Sequence, residues 1–335
     1  MRATALAIVP AAAAAVAAGA LAAQIVFTPR RIPVPEKPPP RGDVAYGRRS
    51  SRRPLTMVVL GDSFAAGYGA GRARDTPAAL LAAGLARRFR RRVQAYTFAV
   101  LGAETSELDR QVDRALGVGP DVAVIYIGGN DVTHLSAPGP HVRRLGDVVR
   151  RLRATGCEVV VGTCPDLSAL PPFKPPLRWL AWYLSRRLAA AQTVEVVRAG
   201  GSTVSLANLL NPYFTAEPDR MFGPDRFHPS ADGYARAAAV TLPVLFTVLE
   251  GLAGRGEPRA GRVEDLGRAA RTAAAHAGTG VHGSPRKTSV GSGAAAVRQV
   301  ASARSAMTAT ATVDRRGHGS AGLGMPKRQL PPGAA

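Results

Sequence analysis

Met57-Val58-Val59-Leu60-Gly61-Asp62-Ser63-Phe64-Ala65-Ala66-Gly67-Tyr68-Gly69 is the stretch that decides the fold of this chain. Its apolar start is typical of a short buried strand, and Gly61 and Asp62 end that strand. Ser63 follows in a loop rich in glycine. Because ligands of open α/β sheets bind outside the carboxyl ends of the strands, we expect the Ser63 hydroxyl to face a cleft.

The sequence on either side alternates between short apolar runs and longer amphipathic runs. The predicted strands are 55–60, 93–100, 121–127, 157–163 and 203–207. The predicted helices are 77–91, 104–116, 141–154, 177–198 and 230–252. Short apolar strands separated by helices indicate a parallel sheet covered on both faces. With right-handed crossovers, this predicts a three-layer α/β/α sandwich around a five-stranded parallel sheet.

Four regions follow from composition. Residues 1–27 are predicted to be a signal peptide or a membrane anchor, 28–54 a linker rich in Pro and Arg, 55–253 the folded α/β domain, and 254–335 a basic, largely disordered tail. The apolar run 3–27 is long enough to span a membrane, and Ala20-Leu21-Ala22 is a typical cleavage site. The arginines after this run favour a cytoplasmic domain. We nevertheless expect a protein that is secreted or anchored at the cell envelope.

The chain carries a net charge of +21, and this charge bears on its partners. Most of the excess lies in the two flanks, and residues 54–253 carry only about +5. Basic flanks could touch anionic lipid or polymer, but a solvated tail is the simpler interpretation. We therefore predict no specific binding of nucleic acid, possible membrane association through residues 3–27, and a monomer.

The two cysteines, Cys157 and Cys164, bracket the predicted strand 157–163. Seven extended residues span roughly 23 Å, whereas a disulfide needs Cα atoms within about 7 Å. We therefore expect that the two cysteines do not pair with each other. Their spacing does not match a metal site.

Four motifs in order resemble the four blocks of the SGNH (GDSL) hydrolase family. They are Gly61-Asp62-Ser63, Gly102, Gly128-Gly129-Asn130-Asp131 and Asp225-Arg226-Phe227-His228-Pro229-Ser230. The resemblance covers roughly residues 55–250. It implies a flavodoxin-like sheet, a serine esterase activity and no metal or organic cofactor. A Gly-x-Ser-x-Gly elbow is absent around Ser63, which disfavours the α/β-hydrolase fold.

The resemblance also assigns roles to five residues. Ser63 is the nucleophile, His228 the general base, and Asp225 the carboxylate that orients the imidazole. The oxyanion donors are the N–H groups of Ser63 and Gly102 and the side-chain amide of Asn130. In the alternative interpretation, Ser63 and Asp225 are only turn and cap residues, and Asn130 is a turn residue.

Other polar residues near these motifs receive structural roles. Asp62 and Asp131 are expected to brace their loops by accepting backbone N–H bonds. His134 and His141 are rival bases, which we discount because the sequence places no carboxylate near them.

Two segments are candidates for the wall of an acyl pocket. They are the Pro-rich run 165–177 with Trp179, and residues 208–224 of the predicted loop 208–229, which include Tyr213, Phe214, Met221 and Phe222. Both could equally be ordinary packing. Within helix 177–198, the aromatic and leucine side chains are expected to lie in the core; these are Trp179, Leu180, Trp182 and Tyr183.

The sequence thus predicts a hydrolase of carboxylic esters of lipid or carbohydrate that forms an acyl-enzyme on Ser63. One alternative is a transferase that passes the acyl group to a sugar hydroxyl. Another is a non-catalytic envelope protein that binds anionic polymer through its basic flanks. The last predicts salt-sensitive binding that survives loss of Ser63.

Overall fold

The computed structural model describes residues 15–28, 32, 38–49, 51–253 and 280–281. Five parallel strands form the centre of its sheet: β2 (Leu55–Gly61), β3 (Val93–Thr97), β4 (Val122–Tyr126), β5 (Glu158–Gly162) and β6 (Ser202–Val204). Two short antiparallel strands, β1 (Ala45–Tyr46) and β7 (Gly280–Val281), lie at the edges. The sheet order is β1-β3-β2-β4-β5-β6-β7. The predicted parallel core is confirmed, and the sheet is wider than predicted by these two edge strands.

Helices cover both faces of the sheet. They are α1 (15–28), α2 (Ser63–Ala66), α3 (Pro77–Phe89), α4 (Leu108–Leu116), α5 (Gly129–Thr133), α6 (Pro138–Ala154), α7 (Leu177–Arg198), α8 (Leu206–Ala216), α9 (Pro218–Met221) and α10 (Ala231–Ala253). Met57 and Val59 of β2 face the layer that contains α3 and α10. Val58 and Leu60 face the layer that contains α4 and α6. The three-layer α/β/α architecture is confirmed.

Strand β2 lies in the middle of the sheet, between β3 and β4. The side chains of its residues 57–60 are fully buried. The strand ends at Gly61, whose φ of +131° is disfavoured for residues with a Cβ. A Cβ at this position would also lie 1.8 Å from the carbonyl oxygen of Tyr126. Only glycine therefore allows the chain to turn here and place Ser63 at the carboxyl edge of the sheet.

The prediction of a loop over residues 208–229 is wrong for much of that range, because α8 and α9 occupy it. Pro212 lies inside α8, where it removes one helical hydrogen bond. Leu206, Leu210 and Phe214 nevertheless recur at helical spacing and are buried. Burial of this apolar stripe outweighs the local cost of the proline.

The prediction that the aromatic side chains of α7 lie in the core is also wrong. Trp179, Trp182 and Tyr183 are 66%, 51% and 48% exposed. They form one face of the helix, but α7 buries the stripe that contains Leu177, Ala181 and Leu188 instead. The prediction placed the most hydrophobic stripe in the core, and the structure buries a different one.

The flanks are described only in part. Among the residues that the structure describes, no helix has both the length and the apolar character needed to cross a membrane. Residues 1–14 of the predicted targeting segment lie outside those residues, as does most of the predicted tail 254–335. The role of residues 3–27 in targeting stays a prediction. Cys157 and Cys164 are free and buried, which confirms that they do not pair with each other.

Candidate active site

Ser63 is the first residue of α2, directly after the central strand. Asp62 caps this helix: its Oδ1 accepts a hydrogen bond from Phe64 N at 2.9 Å. The capping role is therefore filled by Asp62, and the Ser63 hydroxyl is free to point elsewhere. Ser63 is 8% exposed and lines a cleft.

The structure brings Ser63, His228 and Asp225 into one hydrogen-bonded chain. Ser63 Oγ lies 2.9 Å from His228 Nε2, and His228 Nδ1 lies 2.6 Å from Asp225 Oδ2. Ser63 and His228 are 165 residues apart in sequence. Such a pairing at the mouth of a cleft has the geometry that activates a serine hydroxyl.

The Asp225 carboxylate is held by the loop that carries His228. Its Oδ1 accepts from the backbone N–H groups of Phe227 and His228, both at 3.0 Å. Partial burial acts to raise the pKa of Asp225, but the hydrogen bonds from His228 and Phe227 outweigh it and hold the pKa below its usual value. Asp225 is therefore a carboxylate at neutral pH, which fixes a proton on His228 Nδ1 and leaves Nε2 to accept from Ser63.

Aromatic rings flank the His228 imidazole. The Phe227 ring lies edge-on at 5.1 Å and the Tyr68 ring lies at 5.6 Å, measured between centroids. With His228 only 5% exposed, these rings restrict its rotation and keep Nε2 directed at Ser63.

Hydrogen bonds join the loop that carries Gly102 to the segment that carries Asn130. Asn130 Nδ2 donates to Ala103 O at 2.9 Å. Thr105 donates its N–H and its hydroxyl to the two oxygens of Asp131, at 3.1 and 2.7 Å. The loop of Gly102 is thereby fixed against α5, and Ser63, Gly102 and Asn130 line one cleft.

Gly102 has a φ of +77°, which disfavours other residues. A Cβ at this position would meet no protein atom within 4 Å. The glycine is thus required here by its backbone conformation and not by contact with the protein.

The predicted bracing roles of Asp62 and Asp131 are confirmed by their bonds to backbone N–H groups. Burial raises the pKa of Asp62 to about 7, and the nearby Asp131 carboxylate adds to this effect. Burial likewise raises the pKa of Asp131, against the opposing effect of its bonds from Thr105. Asp62 and Asp131 are thus two buried carboxyl groups that raise the pKa of at least one of the pair by mutual repulsion.

The expectation that His134 and His141 lack nearby carboxylates is wrong. His134 Nδ1 lies 2.6 Å from Glu104 Oε1, and His141 Nδ1 lies 2.6 Å from Asp131 Oδ1. Folding brings Glu104 to them from another loop. The ligand atoms of Glu104, Asp131 and His141 lie within 4.8 Å of one another, so this trio could hold a metal ion. Because Asp131 is already bonded to Thr105, we interpret the trio as a loop brace.

Two buried glutamines at the site were not predicted. Gln111 of α4 accepts from Gly61 N at 2.7 Å and donates to Gly61 O at 2.9 Å. Gln192 of α7 accepts from Cys164 N at 2.7 Å and donates to Ile127 O at 3.2 Å. Each glutamine satisfies backbone groups at the end of a strand and so fixes the loop that follows it.

Two cavities meet at Ser63 and His228. The smaller has a volume of about 90 Å³ and is closed by Leu206, Leu210 and Phe214. Of the predicted pocket residues, Phe214 and Phe222 line it, whereas Met221 is in the core. The larger cavity has a volume of about 320 Å³. Its walls are mostly apolar and come from the end of the Pro-rich run, α7, the loop of Gly102, α5 and the segment before the domain.

Comparisons with known proteins show which family this chain belongs to. The model of the GDSL-like lipase/acylhydrolase family matches residues 59–236. The GDSL-like esterase Rv1075c of Mycobacterium tuberculosis is 45% identical over 218 residues, which cover 62% of this chain and 69% of that protein.

Solved structures with lower identity are also similar. An alpha/beta hydrolase from the metagenome of Lake Arreo is 23% identical, with a TM-score of 0.44, and the match covers 56% of this chain and 94% of that one. A lipase/acylhydrolase from Enterococcus faecalis is 19% identical, with a TM-score of 0.45, and the match covers 58% of this chain and 96% of that one. The family match spans more than half of the chain. The chain therefore belongs to the GDSL-like lipase/acylhydrolase family and is a carboxylic ester hydrolase.

Proposed function

We propose that this protein is a serine esterase that forms an acyl-enzyme on Ser63, with His228 as general base and Asp225 as its orienting carboxylate. One observation carries the proposal: the continuous chain from Ser63 Oγ through His228 to Asp225, with contacts of 2.9 and 2.6 Å. The carboxylate itself stays ionised, because its pKa lies below the usual value.

In the first half-reaction, Ser63 Oγ attacks the ester carbonyl carbon while His228 Nε2 takes the hydroxyl proton. The imidazolium that forms is stabilised by Asp225. The tetrahedral intermediate collapses, and His228 returns the proton to the leaving alkoxide. The acyl group is then bound to Ser63 as an ester.

The negative oxygen of the intermediate needs donors that are already in place. We assign this role to the N–H groups of Ser63 and Gly102 and to the second N–H of Asn130 Nδ2, whose first N–H is bonded to Ala103 O. Support comes from the shared cleft and from the bonds that fix the Gly102 loop to α5. These donors need little reorganisation when charge develops.

In the second half-reaction, water replaces the alcohol and His228 acts as base again. Attack on the acyl-enzyme releases the carboxylic acid and regenerates Ser63. The apolar walls of both cavities fit an acyl ester. They support lipid esters or acylated carbohydrates as the substrate class.

The test is hydrolysis of nitrophenyl esters, from acetyl to palmitoyl, by the full chain and by three variants. Ser63→Ala should lower kcat by several orders of magnitude, and Asp225→Asn by on the order of 10⁴-fold. Ser51→Ala is the matched control, because Ser51 is an exposed serine before β2, and it should behave as wild type.

A fluorophosphonate probe should also label wild type and Ser51→Ala, and leave Ser63→Ala unlabelled. Turnover and labelling that persist in Ser63→Ala would refute the proposal. Product analysis with an added sugar would separate hydrolysis from acyl transfer.

A further inference from the structure

The segment before the catalytic domain is held against the domain by paired hydrogen bonds. Gln24 of α1 donates from Nε2 to Pro175 O and accepts at Oε1 from Leu177 N, both at 3.0 Å. Its amide thus satisfies two backbone groups where α7 begins. Two bonds from one side chain fix both the position and the rotation of α1 at this point.

Apolar side chains continue this contact. Leu21 and Ile25 of α1, and Ile32 after it, are half-buried against the core. On the other side of the same helix, Val26 and Phe27 are 48% and 52% exposed. The helix therefore presents one defined face to the domain. Ile25 directly follows Gln24, whose side chain makes the two hydrogen bonds described above.

That face lines the cavity of the proposed nucleophile. Ile25 and Ile32 share the 320 Å³ cavity with Ser63 and His228. Gly102 and Asn130 line this cavity too, so the ester carbonyl would lie beside these four residues. The family match begins only at residue 59, so Ile25 and Ile32 lie outside the segment that this chain shares with its family.

The two cavities differ in what they can hold. A dry apolar cavity of about 150 Å³ holds one benzene molecule. The 90 Å³ cavity is smaller than that, whereas the 320 Å³ cavity has room for roughly a dozen apolar carbon atoms. Leu177, Leu180 and Leu184 of α7 form its long wall, so a medium acyl chain fits there.

We propose that α1 and Ile32 form the distal wall of the acyl-binding cleft, and that Ile25 sets the length of acyl chain that the enzyme accepts. This inference rests on the proposed esterase function. It makes a segment outside the catalytic domain a determinant of specificity. It also requires that α1 stay attached to the working enzyme.

The experiment compares kcat/KM for nitrophenyl decanoate and nitrophenyl acetate in the full chain. Ile25→Trp fills the cleft. Each methylene of the decanoyl chain that the cleft no longer buries costs about fourfold in kcat/KM. The decanoate-to-acetate ratio should fall at least tenfold. Val26→Trp is the matched control, because it places the same indole on the exposed face of α1, and its ratio should stay within twofold of wild type.

Ile25→Ala supplies the opposite perturbation and decides the matter if Ile25→Trp does not fold. It widens the cleft and should move the preferred ester to a longer chain. An unchanged ratio in a folded Ile25 variant would overturn the inference. Recovery from the native host of an active enzyme that lacks residues 1–27, shown by intact mass, would also overturn it. Absence of Ser63-dependent acetate hydrolysis in wild type would instead refute the esterase proposal.

Discussion

Replacement of Gln111 by leucine would test how the strand end positions the nucleophile. The Gln111 amide is bonded to both backbone groups of Gly61, and only Asp62 separates Gly61 from Ser63. Leucine has a similar volume and restores an apolar residue to the buried face of α4. Gln111→Leu therefore removes the two hydrogen bonds without opening a large cavity.

The expected loss of stability depends on which hydrogen-bond partners Gly61 retains in the variant. Gly61 O also accepts from Val100 N at 3.0 Å, so the carbonyl retains one partner. Gly61 N–H loses the partner that held it at 2.7 Å, and an unsatisfied buried donor costs about 1–3 kcal/mol. With a smaller loss at the carbonyl, we expect a total of about 3 kcal/mol. In a domain of this size that lowers Tm by roughly 6–12 °C.

The expected loss of activity is separate from the loss of stability. Relaxation of Gly61 moves Ser63 relative to His228, and a displacement near 1 Å can cost about 10²-fold in rate. The assay measures kcat and KM for nitrophenyl acetate at 20 °C, with urea unfolding of the same samples. Leu152→Ala is the control: Leu152 is fully buried near the amino end of β5, and its loss costs about 2–5 kcal/mol.

We expect a large fall in kcat for Gln111→Leu and a change below twofold for Leu152→Ala. A Gln111→Leu enzyme that is destabilised but keeps its kcat would refute the positioning role. One that loses neither stability nor kcat would show that the two hydrogen bonds contribute nothing measurable.

Two further perturbations address the buried acid and the glycine of the oxyanion loop. The pKa of Asp62 is raised to about 7 from about 3.9 in the unfolded chain, so the folded state binds more protons between these values and stability falls as pH rises. Urea unfolding at pH 4.5 and 8 should therefore show a drop up to about 3 kcal/mol larger for wild type than for Asp62→Asn, and parallel pH profiles would contradict this. Gly102→Ala places a Cβ at a φ of +77° and should cost about 1 kcal/mol and lower kcat by on the order of tenfold. Gly119→Ala, at an exposed glycine with a φ of +60° and no atom within 4 Å of a Cβ, should cost similar stability and leave kcat unchanged.

The sequence was sufficient wherever a feature depends on local pattern. The strand ends before Ser63 and Asn130 were predicted because buried parallel strands are continuous apolar runs. The pairing of Asp225 with His228 was accessible because the two residues lie three positions apart. Contacts between distant loops were not accessible: nothing local indicates that Glu104 reaches His134, 30 residues away.

The surface of α7 illustrates a second limit of sequence pattern. Trp179 and Trp182 recur at helical spacing, which is what a buried stripe would show. Their exposure depends on which face of α7 meets α5, α6 and α8, and the spacing is the same in either case. Hydrophobicity alone favoured the wrong face, because the face that α7 buries contains alanine and polar residues, including Gln192.

The sequence does contain a signal for Gln111 and Gln192, the two buried glutamines that bond to strand ends. Leu108, Gln111, Val112 and Ala115 follow the spacing of one helix face, and all four are buried. Gln192 stands in the same way between Leu188, Ala189 and Val196 on the buried face of α7.

A buried amide is unfavourable unless its donors and acceptor are satisfied. One glutamine in an otherwise apolar stripe therefore implies a backbone partner beyond the helix. In a parallel sheet the strand ends supply such partners, because ladder bonds stop there. The same rule applied to Gln111 would have predicted a clamp on the strand that leads to Ser63.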